Sequence, residues 1–334
     1  MSDQLSGALR APDPALGARQ ALVRRRRGSG GRVYAAARWM AAGLFAALLV
    51  SLVVVMANDA SQAFGRSGIG FIWSGTWNPA ANEFGAGILV VGTIVTTAVA
   101  MLLVIPVGLG AAAFLAEFAP RWLAGAFSAA VDLLAAIPSI VVGLWGLIVL
   151  SPLFARDVEP FLGAVPVVEW FFHGPAYGPS VLLASVVLAV MTLPTMVALS
   201  RTALRGVPQA DREAALALGA TRWQVVRKAV IPGARAGVAA AITLAIGRAL
   251  GESIAVAMVI GNNPSIPHSL LAPGATLGSA IINQFAEASP GLGASSIVAL
   301  AVVLLALTVA VNLGGQALLR ANATRRALRG VESK

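Results

Sequence analysis

The segment DREAALALGATRWQVVRKAVIP, residues Asp211–Pro232, is charged and helix-forming, and it lies between long apolar runs. Its first part, Ala214–Leu218, consists of strong helix formers. Pro208 lies just upstream and suits the first turn of a helix, where its missing N–H costs nothing. Gly219 then favours a helix end, because glycine adopts the left-handed C-cap conformation without strain. These residues predict one short helix that ends at a glycine.

A second helix is predicted directly after this glycine. Thr221 and Gln224 fit a capping box for a helix over Arg222–Val230, and we expect that helix to end before Pro232. The segment 208–232 is therefore predicted to be a compact elbow of two helices standing out from the rest of the chain. The alternative left open by the residues is an amphipathic helix lying on a membrane surface.

The composition indicates an integral membrane protein. The chain has 334 residues, of which 58% are hydrophobic and 11% charged, and its mean hydropathy is +0.82. Soluble domains carry about a quarter charged residues. The absence of cysteine excludes disulfides and thiolate metal sites. His173 and His268 are the only histidines and are far apart in predicted loops, so neither a metal site nor a cofactor is expected.

The apolar runs predict an all-α membrane protein with six transmembrane helices. Each run is long enough to cross a hydrocarbon core of about 30 Å. The first span is a separate anchor helix at the N-terminal end. The predicted spans are Trp39–Ala57, Gly87–Ala116, Ala124–Leu150, Pro179–Leu199, Ala234–Ile260 and Ser295–Leu319.

The distribution of basic residues predicts the orientation of these spans. With the N-terminus in the cytoplasm, 21 of the 24 Lys and Arg residues fall on the cytoplasmic side. This agrees with the positive-inside rule, so nucleic-acid binding is not needed to explain the net charge of +10. The prediction makes residues 1–38 a disordered basic cytoplasmic tail and residues 320–334 a second basic cytoplasmic tail. It also places the elbow in the cytoplasm.

Prolines and small residues give the spans internal features. Pro106 and Pro194 are expected to break the second and fourth spans, and Pro138 to kink the third. Asp132 is expected about 12 Å inside the third span, at 1.5 Å per residue. The fifth span is rich in Gly and Ala, which allow close helix approach, so it is expected at the centre of the bundle. A short helix over Leu277–Ala288 is an alternative to ordinary loop packing.

Arg248 and Glu252 are the sharpest candidates for chemistry within the membrane. Their spacing of four residues places them on one face of the predicted fifth helix. One interpretation is an ion pair within the helix that stabilises the bundle. The other is that Arg248 contacts a passing anion, since a guanidinium binds oxyanions through two charge-assisted hydrogen bonds. Glu252 would then hold the guanidinium or accept a proton. Together with Asp132, the balance of one positive and two negative charges favours gated passage over an open anion pore.

The chain carries no motif for ATP hydrolysis or for another enzymatic reaction. No GxxxxGK[ST] sequence is present, and neither lysine follows a glycine-rich loop. No HExxH and no Ser/His/Asp arrangement is present either. The chain is therefore not expected to be an enzyme.

The elbow resembles the EAA loop of ABC-transporter permease subunits. In that family the loop forms a coupling helix that docks on a cytoplasmic ATPase, so the resemblance implies a transport subunit whose ATP is hydrolysed by a partner. The usual Ile before x-Leu-Pro is Ala229 here, and the Leu is Ile231; both replacements are apolar. The matching residues are Glu213, Ala214, Ala215, Gly219 and Pro232.

The chain also resembles the phosphate-specific permease subunits of bacteria, in its PstC type more than its PstA type. The resemblance rests on residues 134–141, 143–146, 247–252 and 283–288. It implies a type I (MetI-like) permease domain over residues 86–319 in the inner membrane. It also implies a PstA-type sister permease, a dimer of PstB-type ATPase subunits and an external PstS-type phosphate-binding protein. Alternatives are a permease for another oxyanion or phosphonate, or a secondary anion transporter, although the chain shows no paired repeat.

Overall fold

The structure is a computed structural model that describes residues 30–165, 171–175, 177–265 and 268–332. The chain divides into two compact units, residues 1–55 and 56–334. Helix α1 is Gly30–Asp59. Residues 30–38, assigned from the sequence to a disordered tail, are thus the first turns of a helix. The remainder of that predicted tail lies outside the described residues.

The second unit is almost entirely helical, with one two-stranded antiparallel hairpin. Helices α4, α6 and α9 each contain at least one π-helical turn. The elements are α2 (Ser61–Ser67), α3 (Gly70–Trp73), β1 (Trp77–Asn78), β2 (Glu83–Phe84), α4 (Gly87–Phe118), α5 (Arg121–Ala136), α6 (Ser139–Gly163), α7 (Val181–Arg205), α8 (Gln209–Ala217), α9 (Arg222–Gly251), α10 (Ile254–Val259), α11 (Leu277–Gln284) and α12 (Leu292–Glu332).

Six helices of the described chain are long and apolar enough to cross a membrane, as the sequence predicted. Their bounds differ from the predicted ones in the third and fifth spans. The six segments are Tyr34–Asp59, Gly87–Phe118, Ser139–Gly163, Val181–Arg205, Arg222–Gly251 and Leu292–Leu319.

Pro138 interrupts the helix between α5 and α6, so the predicted single kinked helix Ala124–Leu150 is wrong. Ile137 and Pro138 both have extended backbone, with ψ of 127° and 138°. A residue before proline is driven out of the α region by contact with the proline ring. The membrane-spanning helix therefore begins at Ser139 and runs to Gly163.

Pro106 and Pro194 do not break their helices, contrary to the sequence prediction. Both lie inside unbroken α-helical segments. Pro194 is buried among neighbouring helices, and a proline inside a membrane helix is tolerated where such neighbours compensate for the missing hydrogen bond.

The second helix of the elbow does not end before Pro232. It continues through that residue, so one helix, α9, includes both this part of the elbow and the fifth span. The π-helical turn Val226–Val230 comes directly before Ile231 and Pro232. A π turn adds a residue to the helical ring, which gives room for the proline where a regular ladder would clash.

Three apolar clusters hold the second unit together. The central cluster joins α4, α6, α7, α9 and α10. A second lies where α2, α3, α11 and α12 meet the start of α4, and a third lies at the elbow, between α9 and the last turns of α4 and α7. Helix α9 contacts α4, α7 and α12, which agrees with the central position predicted from its small residues.

Helix α11 forms where the sequence left a helix or loop packing open, and it ends at Gln284. The side chain of Gln284 accepts a hydrogen bond of 2.7 Å from the indole N–H of Trp77 in β1. The ring of Trp77 also packs edge-on against Phe84 of β2, with centroids 5.2 Å apart. This contact joins the hairpin to α11 at the end of the second unit away from the elbow.

Two glycines of α4 provide a matched test of this packing. A Cβ at Gly92 would overlap the backbone carbonyl of Ala275, whereas a Cβ at Gly110 would meet nothing within 4 Å. Alanine favours a helix by about 1 kcal/mol over glycine, while overpacking costs about 1–3 kcal/mol. We expect Gly92→Ala to lower the unfolding temperature of the purified chain in detergent and Gly110→Ala to leave it unchanged or raise it. Equal unfolding temperatures for the two variants would contradict this packing.

Candidate functional site

The first half of the elbow ends as the sequence predicted. Gly219 has φ of +80° and follows α8. Its N–H donates to the carbonyl of Leu216 at 2.9 Å, and the N–H of Ala220 donates to the carbonyl of Ala215 at 3.2 Å. This pair of bonds is the Schellman motif, which needs a left-handed residue at the position that Gly219 occupies. Pro208 is the N-cap residue of α8, one position before the predicted first turn.

The second half of the elbow begins with the predicted capping box. The backbone N–H of Gln224 donates to Oγ1 of Thr221 at 3.3 Å, and the N–H of Thr221 donates to Oε1 of Gln224 at 2.8 Å. Val225, Val226 and Val230 are then buried against the ends of α4 and α7. The elbow is therefore a folded unit fixed to the body, and the predicted two-helix arrangement is confirmed.

The outer face of the elbow is exposed and partly apolar. Glu213 and Ala214 are exposed, while Ala215 is half-buried against the apolar cluster at the elbow. Leu218 is 90% exposed and Trp223 58% exposed. Apolar side chains this prominent on an otherwise charged surface are typical of a contact with another protein.

Arg248 lies on a surface stripe of α9, together with the exposed residues Leu244 and Gly251. Within the described part of the chain, Arg248 makes no ion pair and no hydrogen bond. A guanidinium facing hydrocarbon costs about 2.5–3.5 kcal/mol on insertion scales. This face of α9 is therefore suited to a water-filled path or to a second protein subunit.

Glu252 does not share a helical face with Arg248, because α9 ends at Gly251. The backbone of Glu252 is extended, with φ of −76° and ψ of 118°. Its Oε1 accepts a hydrogen bond of 3.4 Å from the N–H of Ala255, at the start of α10. The predicted i, i+4 arrangement is thus wrong, and the ion pair within the helix is not formed. The carboxylate caps the next helix instead.

Three threonines of α4 line a cavity next to Glu252, and sequence reasoning missed them. Thr93, Thr96 and Thr97 line a small cavity together with Glu252 and Thr276. The cavity leaves about 10 Å³ for the centre of a water molecule, which is close to the minimum for one water. Oγ1 of Thr96 is buried and has no partner within the described structure. The spacing of the three threonines, on one helical face in an apolar span, is the signal that could have identified them.

Asp132 is exposed on α5, which ends before the third membrane-spanning segment because the helix breaks at Pro138. The predicted position of Asp132 about 12 Å inside that span is therefore wrong. Arg201, near the end of α7, donates a hydrogen bond to Oγ of Ser128, one turn before Asp132. Sequence reasoning counted Arg201 only as a cytoplasmic charge, so this contact was not foreseen.

In this arrangement the exposed guanidinium of Arg248 is the group suited to bind an anion. The arrangement offers no constellation for a metal, since the described residues contain no group of three His, Asp or Glu side chains that could hold one. What the geometry provides is a folded elbow at one end of α9 and an exposed arginine near the other.

Residues 105–322 match the family described as binding-protein-dependent transport system inner membrane component. The chain belongs to this family. It is thus a multi-pass subunit of a transport system in the inner membrane, as the six apolar helices require.

Several relatives are similar over most of their length. The chain is 40% identical over 272 residues to the phosphate transport system permease protein PstC of Pasteurella multocida, covering 80% of this chain and 83% of that protein. It is 33% identical over 324 residues to PstC 1 of Mycobacterium tuberculosis, covering 88% and 95%.

Two solved structures share the fold. One is a chain of the inward-facing MetNI methionine ABC transporter, with a TM-score of 0.51 and 24% identity over 69% of this chain and 92% of that one. The other belongs to a bacterial ABC transporter that imports alginate, with a TM-score of 0.53 and 14% identity over 83% and 95%. The predicted all-α, MetI-like permease fold is confirmed.

Proposed function

We propose that the chain is the permease subunit of an ATP-driven importer of inorganic phosphate. The assignment of phosphate as the substrate rests on the similarity to phosphate transport permeases over four-fifths of the chain. The chemistry of α9 agrees with it, since Arg248 is an exposed guanidinium on the surface of a membrane-spanning helix.

Arg248 is suited to meet phosphate in transit. Its planar guanidinium can donate two hydrogen bonds to two oxyanion oxygens. Asp132 and Glu252 add negative charge, which opposes continuous anion flow and favours passage only when the subunits rearrange. Because Arg248 is exposed, we infer that the phosphate path lies between this chain and a second permease subunit.

The coupling of this path to ATP hydrolysis follows from the continuity of α9. The elbow helix that starts at Arg222 and the span that carries Arg248 are one helix. Arg248 lies about 39 Å from Arg222 along that helix, at 1.5 Å per residue. A displacement of the elbow by an ATPase would therefore reach Arg248 without an intervening flexible joint, which supports transport by alternating access.

The partners in this proposal are a PstA-type sister permease, a PstB-type ATPase dimer that supplies all of the hydrolysis, and a PstS-type phosphate-binding protein outside. The residues around Glu213, Ala214, Ala215, Gly219 and Pro232 form the ATPase-coupling site. The positive-inside distribution supports cytoplasmic termini and a cytoplasmic elbow.

Phosphate uptake tests the substrate. Cells that lack their native system, starved of phosphate, are expected to take up radiolabelled phosphate only when this chain is expressed with its partner subunits. Unlabelled phosphate should compete, and sulfate and phosphonates should not.

Two other outcomes would replace the proposal. Competition by sulfate or a phosphonate would assign another oxyanion to the same permease. Uptake that survives ATP depletion but stops when an ion gradient is collapsed would indicate a secondary transporter.

Replacement of Arg248 tests the transport path. We expect Arg248→Gln to lower phosphate uptake at least tenfold with normal assembly, because the amide cannot supply the charged fork, and Arg248→Lys to be intermediate. Arg235→Gln removes the same charge from an exposed position nearer the elbow on α9, and it should transport normally. Wild-type phosphate uptake by Arg248→Gln would show that Arg248 is not part of the transport path.

Replacement of Leu218 tests the docking face. We expect Leu218→Asp to abolish co-purification of the ATPase subunit, because a charge would be buried in an apolar contact. Leu218→Met keeps an apolar side chain of similar volume at the same position and should retain the ATPase. Equal recovery of the ATPase with both variants would place the contact elsewhere.

A further inference from the structure

Arg212, next to the coupling residues, binds three groups outside its own helix. Its Nη2 lies 2.9 Å from Oε1 of Glu117, in the last turn of α4, and its Nε lies 3.4 Å from Oε2. The guanidinium also donates to the carbonyls of Leu204, at 2.9 Å, and Val207, at the end of α7. The two charged side chains are only 13% and 14% exposed.

This contact holds α8, an otherwise largely exposed helix, to the ends of α4 and α7. Every residue of α8 from Gln209 to Ala217 is exposed, except Arg212 and Ala215, which are half-buried. A cavity of about 370 Å³ lies beside the pair, lined by both charged residues, by Arg205 and by Leu216. Because α8 is not tightly packed there, the ion pair bridges a gap that apolar contacts leave open.

Electrostatics favours this position for an arginine. Glu117 lies at the C-terminal end of α4, where the helix dipole disfavours a carboxylate. The carbonyl of Leu204 lies in the last turn of α7, at the negative end of that helix, and the carbonyl of Val207 lies two residues beyond it. A planar guanidinium with five N–H donors can satisfy all of these acceptors at once. Lysine offers one nitrogen and could not hold the same geometry.

We propose that Arg212 and Glu117 form a mechanical joint that carries movement of the elbow to α4 and α7. Arg212 is a positioning residue, since it acts through the helices that it holds and does not touch the substrate. Both helices of the elbow are then connected to the membrane domain. Its second helix continues directly into α9 and packs on the ends of α4 and α7. Its first helix follows α7 after residues 206–208 and is fixed to α4 and α7 through Arg212. The inference rests on the proposed function in one respect, which is that an ATPase moves the elbow.

We expect loss of the contact between Arg212 and Glu117 to uncouple ATP hydrolysis from phosphate transport. In liposomes with the complete transporter and its binding protein, we expect Arg212→Gln to keep ATP hydrolysis within about twofold of wild type. Phosphate transported per ATP should fall at least fivefold, because the first elbow helix is no longer fixed to α4 and α7. Glu117→Gln should act in the same direction, and the double variant should be no worse than Arg212→Gln alone.

Arg205→Gln is the matched control. It removes a guanidinium from the same cavity and leaves the ion pair intact, so the transport-to-hydrolysis ratio should not change. The variants of the joint should still fold, because Val225, Val226 and Val230 hold the second elbow helix independently. An unchanged ratio in Arg212→Gln would overturn the proposal. So would a parallel fall of hydrolysis and transport with less bound ATPase, or additive losses in the double variant.

A second readout does not depend on the substrate. The chain has no cysteine, so single cysteines can be introduced by Leu102→Cys on α4 and Leu313→Cys on α12 and spin-labelled selectively within this chain. Both positions are exposed. We expect ATP to change the distance between the labels in the wild-type complex and to leave it unchanged in Arg212→Gln. An equal change in both would refute the joint. Absence of phosphate transport by the wild-type complex, with the label distances as expected, would instead refute only the substrate.

Discussion

Pro232 cannot donate the backbone hydrogen bond that an α-helix requires, yet α9 passes through it without a break. The π-helical turn Val226–Val230 makes this possible, because it relaxes the helical ladder just before the proline. If the helix ended there, a loop would connect the elbow to the fifth membrane span. Its continuity makes the elbow a rigid extension of a membrane helix, and the relation between the two ends of α9 depends on it.

The charged groups of the second unit make sense only in an assembly. Arg248 lies in a membrane-spanning helix and is exposed in the single chain, and lipid is a costly environment for its guanidinium. This polar surface needs water or a second protein, and a transport path between two permease subunits would supply both. Glu252 is different, since its carboxylate is already engaged as a helix cap and borders a small threonine-lined cavity.

Features set by neighbouring residues in the sequence were predictable, and features set by distant contacts were not. Gly219 and the Thr221–Gln224 box fix the elbow through local hydrogen bonds, so their spacing was enough to predict it. The break after Gly251 lies where Glu252 borders the threonines of α4, and hydropathy gave no sign of it. Pro138 was recognised, but whether a proline kinks or ends a helix depends on neighbours, as the unbroken helices at Pro106 and Pro194 demonstrate.

The same distinction explains why Arg212 was overlooked. In the sequence it is one of seven basic residues between Ser200 and Arg235, and a count of charges treats them all as markers of orientation. Its partner Glu117 is 95 residues away, and only the fold brings the two together at the ends of α4 and α7. Most of those basic residues can serve topology by charge alone. Arg212 requires the planar shape of its guanidinium as well, because it binds a carboxylate and two carbonyls at once. Through these contacts it fixes the first elbow helix to the ends of α4 and α7, beside the apolar packing of Val225, Val226 and Val230 on the same two helices.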